Sequence, residues 1–279
     1  MSRRMCLGGA GAMEYSFTGT SVFEGDPSGD WKLTLKTGGT LIFNKLNTLI
    51  DIFAVGGGAA GAKTSNNQYT YYGANGGSGG KTALVSGASL SAGTSYTVAV
   101  GAGSTSQRTG GTSTGGTSNI VGNGNTIISA SGGTSTGWHP TNNTGSGGSG
   151  GGSGGTASGA SKGYNGGSDG GNGGAYNSSN VQTGMGTSGY LVREFRESGG
   201  TIYGGGGGGG ASSDASASTS GSGGSGGGGR GGYKNGNGVS GTANTGGGGG
   251  GAGSAGTNTN TKTPGNGGSG IVVIRNHRE

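Results

Sequence analysis

The sequence predicts an all-β protein in which a jelly-roll-like antiparallel β-sandwich carries a packed bundle of polyglycine II helices, without significant α-helix. Two observations lead to this fold class. Glycine contributes 82 of 279 residues and hydrophobic residues only 26%, so a conventional apolar core cannot extend through the whole chain. The apolar residues are concentrated in short segments with the period of two that is typical of strands, and no window has a helical period.

The predicted strands come first in the chain. Residues 31–36 alternate between apolar and charged or polar side chains, which places Trp31, Leu33 and Leu35 on one face. Similar apolar segments follow at 40–43, 49–55, 96–100 and 119–129. Residues 122–125 (Gly-Asn-Gly-Asn) have the composition of a hairpin loop with positive φ angles. Residues 271–274 are apolar throughout, so we expect a central strand buried on both faces.

Glycine, serine, threonine and asparagine dominate residues 141–270. A solvated linker is one interpretation, because such a chain buries too little surface to offset an ordering cost of about 1–2 kcal/mol per residue. An ordered structure is favoured because the last predicted strand lies beyond this region and short apolar segments at 190–192 and 201–203 interrupt it. Polyglycine II has three residues per turn, and its backbone groups can bond to adjacent helices. We expect Gly204 to Gly210 to form such a helix.

These patterns divide the chain into three predicted parts. Residues 1–13 form an N-terminal arm. Residues 14–140 together with 265–279 form the β-sandwich, and residues 141–264 form the polyglycine II bundle with its loops.

Composition argues against several functional classes. The net charge is +6 with only 9% charged residues, and the basic residues form no stripe, so we expect no nucleic-acid partner. The single cysteine, Cys6, excludes a disulfide framework and a multi-cysteine metal site, and no cofactor is predicted. No apolar run approaches the roughly 18 residues of a membrane span, and the N-terminus lacks the apolar region of a signal peptide. We therefore expect neither membrane insertion nor a signal peptide.

Sequence motifs that could indicate catalysis are incomplete. Residues 76–82 resemble a phosphate-binding loop, but Asn75 stands where the first glycine is required. Residues 236–241 match the dinucleotide pattern GxGxxG without a preceding strand. His139 and His277 have no context for a catalytic triad, and we expect His277 to be solvated. No enzymatic activity is predicted.

Charged residues also cluster at 193–197. We expect Arg193 and Arg196 to form surface ion pairs with Glu194 and Glu197, at the end of a strand.

The candidate binding residues are the aromatic and neighbouring polar side chains of the loops. Tyrosine and tryptophan supply contact area at low entropic cost, while serine, glycine and asparagine supply adaptable hydrogen bonds. The alternative for each tyrosine is that it lies flat over the glycine bundle. The candidates are Tyr69, Tyr71, Tyr72, Trp138, His139, Lys162, Tyr164, Tyr176, Tyr233 and Lys234.

The order of the apolar and glycine segments is similar to that of a known family. The segments that carry the likeness are residues 31–33, 39–43, 50–58, 193–197, 200–203 and 267–275. Over about residues 14–279 the chain resembles the glycine-rich domain proteins of phages and prophages of gut Firmicutes. Its architecture is similar to that of the distal adhesins of T-even-like phages, and to the glycine-rich domains of the anaplastic lymphoma kinase and leukocyte tyrosine kinase receptors.

This resemblance implies a phage tail-tip or tail-fibre protein located on the virion tail. It would be a receptor-binding adhesin that recognises a host cell-surface glycan or protein, with residues 1–13 contacting other tail or baseplate proteins. Whether it is a homo-oligomer stays open. One alternative is a non-catalytic structural protein of the virion or the bacterial surface, serving as a fibre cap or spacer. Another is ice binding, suggested by the alternating threonines of residues 257–263.

Overall fold

The computed structural model describes residues 3–5, 11–64, 72–105, 112–136, 145–155, 164–171, 173, 192–213, 220–256 and 262–278, with the backbone alone for residues 3–5. Thirteen strands occur in this part of the chain, together with one short 3₁₀ turn at Glu194–Arg196, and it contains no α-helix. The predicted all-β fold class is therefore confirmed. The strands are β1 (Arg3–Met5), β2 (Glu14–Phe17), β3 (Ser21–Gly25), β4 (Trp31–Leu35), β5 (Gly39–Lys45), β6 (Ile50–Val55), β7 (Thr82–Ala88), β8 (Ser95–Ala99), β9 (Thr112–Thr114), β10 (Ser118–Gly122), β11 (Asn125–Ala130), β12 (Thr134–Thr136) and β13 (Ile271–Asn276).

The strands form two antiparallel sheets and a ribbon. The first sheet has the order β1-β2-β5-β8-β10-β11, the second has the order β3-β4-β13-β6-β7, and β9 pairs with β12. Between the two sheets lies the main apolar core, with Trp31, Leu33 and Leu35 buried on one face of β4 as the alternation predicts. The β10–β11 hairpin has Asn123 at φ 50° and Gly124 at φ 76°. The predicted positive-φ loop is confirmed.

The last strand of the chain lies at the centre of the second sheet. β13 pairs with β4 on one side and with β6 on the other, so that Val273 lies opposite both Thr34 and Phe53. Residues 271–275 are all buried. The expectation of a central strand covered on both faces is confirmed.

A segment of residues 192–203, here called the strap, covers the outer face of the second sheet. Phe195 and Tyr203 pack on Phe53 of β6, with ring-centre distances of 6.0 and 5.7 Å. Together with Val55, Ile271 and Val273 they form a second apolar cluster. Both faces of this sheet are therefore covered.

The charged residues of the strap bind the sheet rather than one another. Glu194 lies 3.3 Å from Nζ of Lys32, and Glu197 lies 2.6 Å from Nη1 of Arg275. Lys32 and Arg275 are opposite each other in adjacent strands, and the two strap carboxylates add to those that Glu24 and Asp51 supply from within the sheet. Arg193 pairs instead with Asp169 at 2.7 Å. The predicted local pairs among residues 193–197 were wrong for these three residues, because strand register decides the partners.

The glycine run forms the centre of a bundle with a three-residue repeat of hydrogen bonds. The N–H groups of Gly205, Gly208 and Ala211 bond to a helix at residues 226–232. Those of Gly206 and Gly209 bond to residues 164–167, and those of Gly207 and Gly210 to residues 74–77. Successive residues therefore bond to different neighbouring helices, and every third residue bonds to the same one. This is the pattern expected of polyglycine II with three residues per turn.

The carbonyl groups of the same helix face three further neighbours. They accept hydrogen bonds from residues 150–155, 221–224 and 248–254. The helix at 205–211 is therefore enclosed by six others. A Cβ atom placed on Gly207 would lie 2.0 Å from the carbonyl oxygen of Gly249, so this packing requires glycine. Gly204 has a φ of 62°, so the expected polyglycine II helix is confirmed for Gly205 to Gly210 and begins one residue later than predicted.

Sandwich and bundle are joined by direct continuation of strands into helices. β6 runs into residues 56–62, residues 73–80 run into β7, and residues 265–270 run into β13. Helices therefore come also from outside the range 141–264. At the near end Gly80 bonds to Gly246 beside the sheet. The opposite end, here called the distal end, includes residues 62–64, 72–74, 210–213, 231–236 and 252–256.

Asparagine and serine side chains join neighbouring helices where a backbone acceptor is missing. The acceptors occur three residues apart, in step with the helical repeat, within segments of the form Asn-x-x-Ser. The bonds are Thr263 N–H to Asn237 Oδ1 (3.0 Å), Asn266 N–H to Ser240 Oγ (3.1 Å), Ser222 N–H to Asn165 Oδ1 (2.9 Å) and Ser225 N–H to Ser168 Oγ (2.7 Å). At these four positions a side-chain oxygen takes the place of a backbone carbonyl as the acceptor.

Candidate functional site at the distal end of the bundle

A tight turn at residues 233–236 connects two bundle helices at the distal end. The N–H of Gly236 donates to the carbonyl of Tyr233 at 2.8 Å, and the N–H of Asn235 donates to the carbonyl of Ser254 at 2.8 Å. Asn235 has a φ of 54°, a conformation that asparagine tolerates. The turn is fixed by these bonds and exposes Tyr233 and Lys234.

An arginine supports the tyrosine of this turn. The guanidinium carbon of Arg230 lies 3.8 Å from the centre of the Tyr233 ring. Nη1 of Arg230 donates to Oγ of Ser220 at 3.0 Å and to the carbonyl of Gly231 at 2.8 Å. Tyr233 nevertheless remains 40% exposed. Arg230 therefore fixes the position of the Tyr233 ring, and the ring presents an aromatic surface to solvent beside a cation.

Two further predicted tyrosines lie at the same end. Tyr164 donates its N–H to the carbonyl of Ser153 and accepts from the N–H of Gly209, so its backbone belongs to the bundle. Tyr72 directly precedes Gly73, which packs against Gly210. Both tyrosines are half-buried. This burial is intermediate between that of a fully exposed ligand contact and that of a ring lying flat over the bundle.

The structure thus brings four of the predicted residues to the distal end, namely Tyr72, Tyr164, Tyr233 and Lys234. The other six lie outside the described residues, namely Tyr69, Tyr71, Trp138, His139, Lys162 and Tyr176. Sequence reasoning missed Arg230. The signal was present, because Arg230 and Tyr233 are three residues apart and a helix with three residues per turn places them on one side.

A second feature is a polar cleft of about 400 Å³ between the strap and the β3–β4 hairpin. Lys32 lines this cleft, with its Nζ 3.1 Å from Glu24 and 3.3 Å from Glu194. Burial lowers the pKa of Lys32, but the hydrogen bond to Glu24 and the charges of Glu194 and Glu24 outweigh it, so the pKa is raised. Burial, reinforced by Glu194, also raises the pKa of Tyr203, which donates to that carboxylate at 3.0 Å. These ion pairs fasten the strap to the sheet.

Asp51, His277 and Ser86 form a third polar group. Nδ1 of His277 lies 2.6 Å from Oδ1 of Asp51, and Oγ of Ser86 donates to that same oxygen at 2.8 Å. Ser86 is also nearest to Nδ1, whereas a catalytic serine bonds to the ring nitrogen opposite the one facing the aspartate. The expectation that His277 is simply solvated was wrong, because this histidine bonds to a buried carboxylate.

The surroundings of Asp51 favour its charged form. Burial raises its pKa, but hydrogen bonds from His277, Ser86, the N–H of Gly87 and Arg275 lower it to about 2 overall. The geometry is that of a structural network that holds β6, β7 and β13 together.

Within the described residues, no group of three or more histidine, cysteine, aspartate or glutamate side chains is placed to hold a metal ion. The same part of the chain has no helix with the length and apolarity that would cross a membrane.

Fold and site define a β-sandwich protein with a polyglycine II bundle that exposes polar and aromatic turns at its free end. A family model described as a glycine-rich domain matches residues 34–277. The chain belongs to this glycine-rich domain family. No curated protein matches it.

Proposed function

We propose that the protein is a receptor-binding adhesin of a phage tail tip or tail fibre, and that the distal end of the bundle contacts a glycan or protein of the host surface. The observation that carries the proposal is the exposed Tyr233–Lys234 turn, held by Arg230 at the end of an ordered bundle. A helix of seven residues such as Gly205 to Ala211 has a length of about 22 Å at the polyglycine II rise. The turn is therefore displayed well away from the sandwich.

Rigidity supports binding by such a surface. Each central helix bonds to neighbours through successive backbone groups, so the turns are ordered before a ligand arrives. Binding then costs less conformational entropy than it would for flexible loops. Adaptable binding surfaces such as antibody loops combine exposed tyrosine rings with amide and hydroxyl groups, and the distal end has the same kinds of side chain. We propose that this role is non-catalytic.

Attachment to the particle is assigned to the other end of the molecule. β1 pairs with β2 at the edge of the first sheet, with Arg4 opposite Ser16. A strand at a sheet edge can pair with a strand of a second chain. We propose that the arm of residues 1–13 contacts a neighbouring tail or baseplate protein there.

Binding of the fluorescently labelled protein to a panel of gut Firmicutes, measured by flow cytometry, tests the adhesin role. The double variant Tyr233→Ala, Lys234→Ala should lose about tenfold or more in apparent affinity for the strains that bind, as expected for central contact residues. Val22→Ala, at an exposed site on the sandwich, serves as the matched control. Equal binding by the double variant and the wild type would contradict the assignment of the distal end.

A structural spacer or fibre cap is the second candidate, and the six-neighbour packing around residues 205–211 favours it. Such a bundle is stiff whether or not its end binds anything. In that case no strain should bind the purified protein, while particles assembled without it should lose tail length or integrity in electron micrographs.

A further inference from the structure

Asparagine followed directly by glycine is a chemically labile pair, because glycine has no side chain to shield its backbone nitrogen. That nitrogen can attack the carboxamide carbon of the asparagine and close a succinimide ring, which water then opens. Six such pairs lie wholly within the described residues, and they begin at Asn75, Asn123, Asn165, Asn235, Asn237 and Asn266.

In five of these pairs the fold already occupies the attacking nitrogen. The glycine N–H donates to a backbone carbonyl at 2.8 to 2.9 Å in each of them, so this bond must break before the ring can close. The five donors are Gly76, Gly166, Gly236, Gly238 and Gly267. In three pairs the carboxamide is engaged as well, because its Oδ1 accepts an N–H from a neighbouring helix. These acceptors are Asn75, Asn165 and Asn237.

The sixth pair, Asn123 and Gly124, is the two-residue loop of the β10–β11 hairpin. The N–H of Gly124 has no acceptor among the described residues, and no heavy atom lies within 4 Å of a Cβ placed on this glycine. Asn123 is exposed. Nδ2 of Asn125 donates to the backbone carbonyl of Asn123 at 3.3 Å, which leaves both the attacking nitrogen and the carboxamide carbon free to react.

We propose that Asn123 is the deamidation site of the folded protein, and that the fold protects the other five asparagines. The Gly124 nitrogen forms a bond to Cγ of Asn123, and the bond from Cγ to the side-chain nitrogen breaks. That nitrogen leaves as ammonia with the proton of the Gly124 N–H. Water then cleaves the succinimide at one of its two carbonyl carbons. Cleavage at Cγ gives aspartate, and cleavage at the former backbone carbonyl gives isoaspartate.

Both products alter the hairpin. Aspartate adds a negative charge to the loop. Isoaspartate leads the main chain through Cβ, so it adds one carbon to a loop whose length fixes the register of the two strands. β11 is the last strand of the first sheet and pairs there with β10 alone. Amide exchange along β11 should therefore be faster in the isoaspartate form than in the unmodified protein.

The test incubates the full chain at mildly alkaline pH and follows each asparagine by peptide mass spectrometry, with fragmentation that distinguishes aspartate from isoaspartate. In the folded protein, Asn123 should convert about 25-fold faster or more than Asn75, Asn165 and Asn237, because two hydrogen bonds at about fivefold each oppose ring closure there. Asn235 and Asn266, with one such bond, should convert at least about fivefold more slowly than Asn123. In guanidinium chloride all six should convert at similar rates.

Early conversion at Asn123 in the folded protein, with similar rates at all six sites after denaturation, supports the proposal. It is overturned if a bundle asparagine converts as fast as Asn123, if Asn123 leads equally in guanidinium chloride, or if Asn123 stays intact while the denatured chain converts. Asn123→Gly is the control for the effect on the hairpin, because a Gly-Gly loop suits the same turn and carries no carboxamide. Equal acceleration of β11 exchange in aged wild type and aged Asn123→Gly would show that the modified loop is not its cause.

Discussion

The guanidinium carbon of Arg275 lies 4.0 Å from the centre of the Phe195 ring. The same guanidinium donates from Nε to Asp51 at 3.1 Å and from Nη1 to Glu197 at 2.6 Å. One side chain of the last strand therefore holds the strap by a ring contact and an ion pair, and holds β6 by a second ion pair. The strap in turn leads directly into the central glycine helix.

Truncating the ring of Phe195 should loosen this junction. Phe195→Ala removes a buried aromatic side chain from the second apolar cluster and should lower the free energy of unfolding by about 3 kcal/mol. Leu49→Ala, at a side chain that is 45% exposed, is the control and should change it by less than about 0.5 kcal/mol. Chemical denaturation measures both. A loss for Phe195→Ala no larger than for the control would show that the strap does not depend on the ring.

Adding a single methyl group within the bundle should be severely destabilising. In Gly207→Ala the new Cβ would lie 2.0 Å from the carbonyl oxygen of Gly249, and six bonded neighbours prevent either backbone from moving away. We expect a loss of more than about 4 kcal/mol, at the exceptional end for point variants. Gly199→Ala, where no heavy atom lies within 4 Å of the added Cβ, should leave the melting temperature nearly unchanged. A well-folded Gly207→Ala protein would contradict the close packing.

Hydrogen exchange should distinguish bundle amides that donate to a backbone carbonyl from those that have no acceptor among the described residues. The N–H groups of residues 205–210 all donate to backbone carbonyls and should exchange many times more slowly than in a random coil. Those of Asn237 and Ser240 have no acceptor among the described residues and should exchange rapidly, which provides an internal control. Random-coil rates at residues 205–210 would eliminate the polyglycine II bundle and leave a solvated tether.

Removing the asparagine and serine acceptors should loosen one helix pair locally. The double variant Asn237→Ala, Ser240→Ala leaves the N–H groups of Thr263 and Asn266 without their acceptors. At about 1 kcal/mol per bond, exchange at these two amides should accelerate by roughly fivefold. Ser222→Ala, whose backbone donates but whose hydroxyl has no role in the bond to Asn165, should leave both rates unchanged.

Acid should weaken the network around Asp51. Its folded pKa of about 2 is below the ordinary value of 3.8, so its contribution, about 2 kcal/mol, is fully present above pH 4 or so and disappears as pH falls toward 2. Arg275 is the cationic partner that faces it, and Nδ1 of His277 lies 2.6 Å from its Oδ1. Wild type should therefore exceed Asp51→Asn in unfolding free energy near neutral pH, and the difference should narrow between about pH 4 and pH 2. A difference that stays constant over that range would contradict the role of the ionised carboxylate.

The strands could be predicted from the sequence because their signal is local. Alternation at residues 31–35 and the apolar run at 271–274 each depend on a few neighbouring side chains, and both are confirmed. The partners of glycine helices leave no such signal. Gly207 bonds to Gly77, far away in sequence, through backbone groups that every residue possesses. For this reason residues 57–62 and 73–80 could not be assigned to the bundle in advance.

Part of the candidate site was also predictable from local sequence. Tyr233 and Lys234 stood out as an aromatic and a charged residue within glycine, and the structure exposes both at the distal end. Predicting that Arg230 lies over the ring of Tyr233 would have required the three-residue helical repeat. The ion pairs of Glu194 and Glu197 needed strand register, which places Lys32 beside Arg275 and cannot be read from the strap alone.

The central position of β13 has a consequence for how the protein is made. Until residues 271–276 have left the ribosome, β4 and β6 have no strand between them, and the helix at 265–270 that borders the bundle is also missing. The second sheet therefore cannot close around a partial chain, and the contacts that close it span most of the sequence, which slows folding. The sheet that supports the strap is therefore completed late in synthesis, after every helix that encloses residues 205–211 has been made.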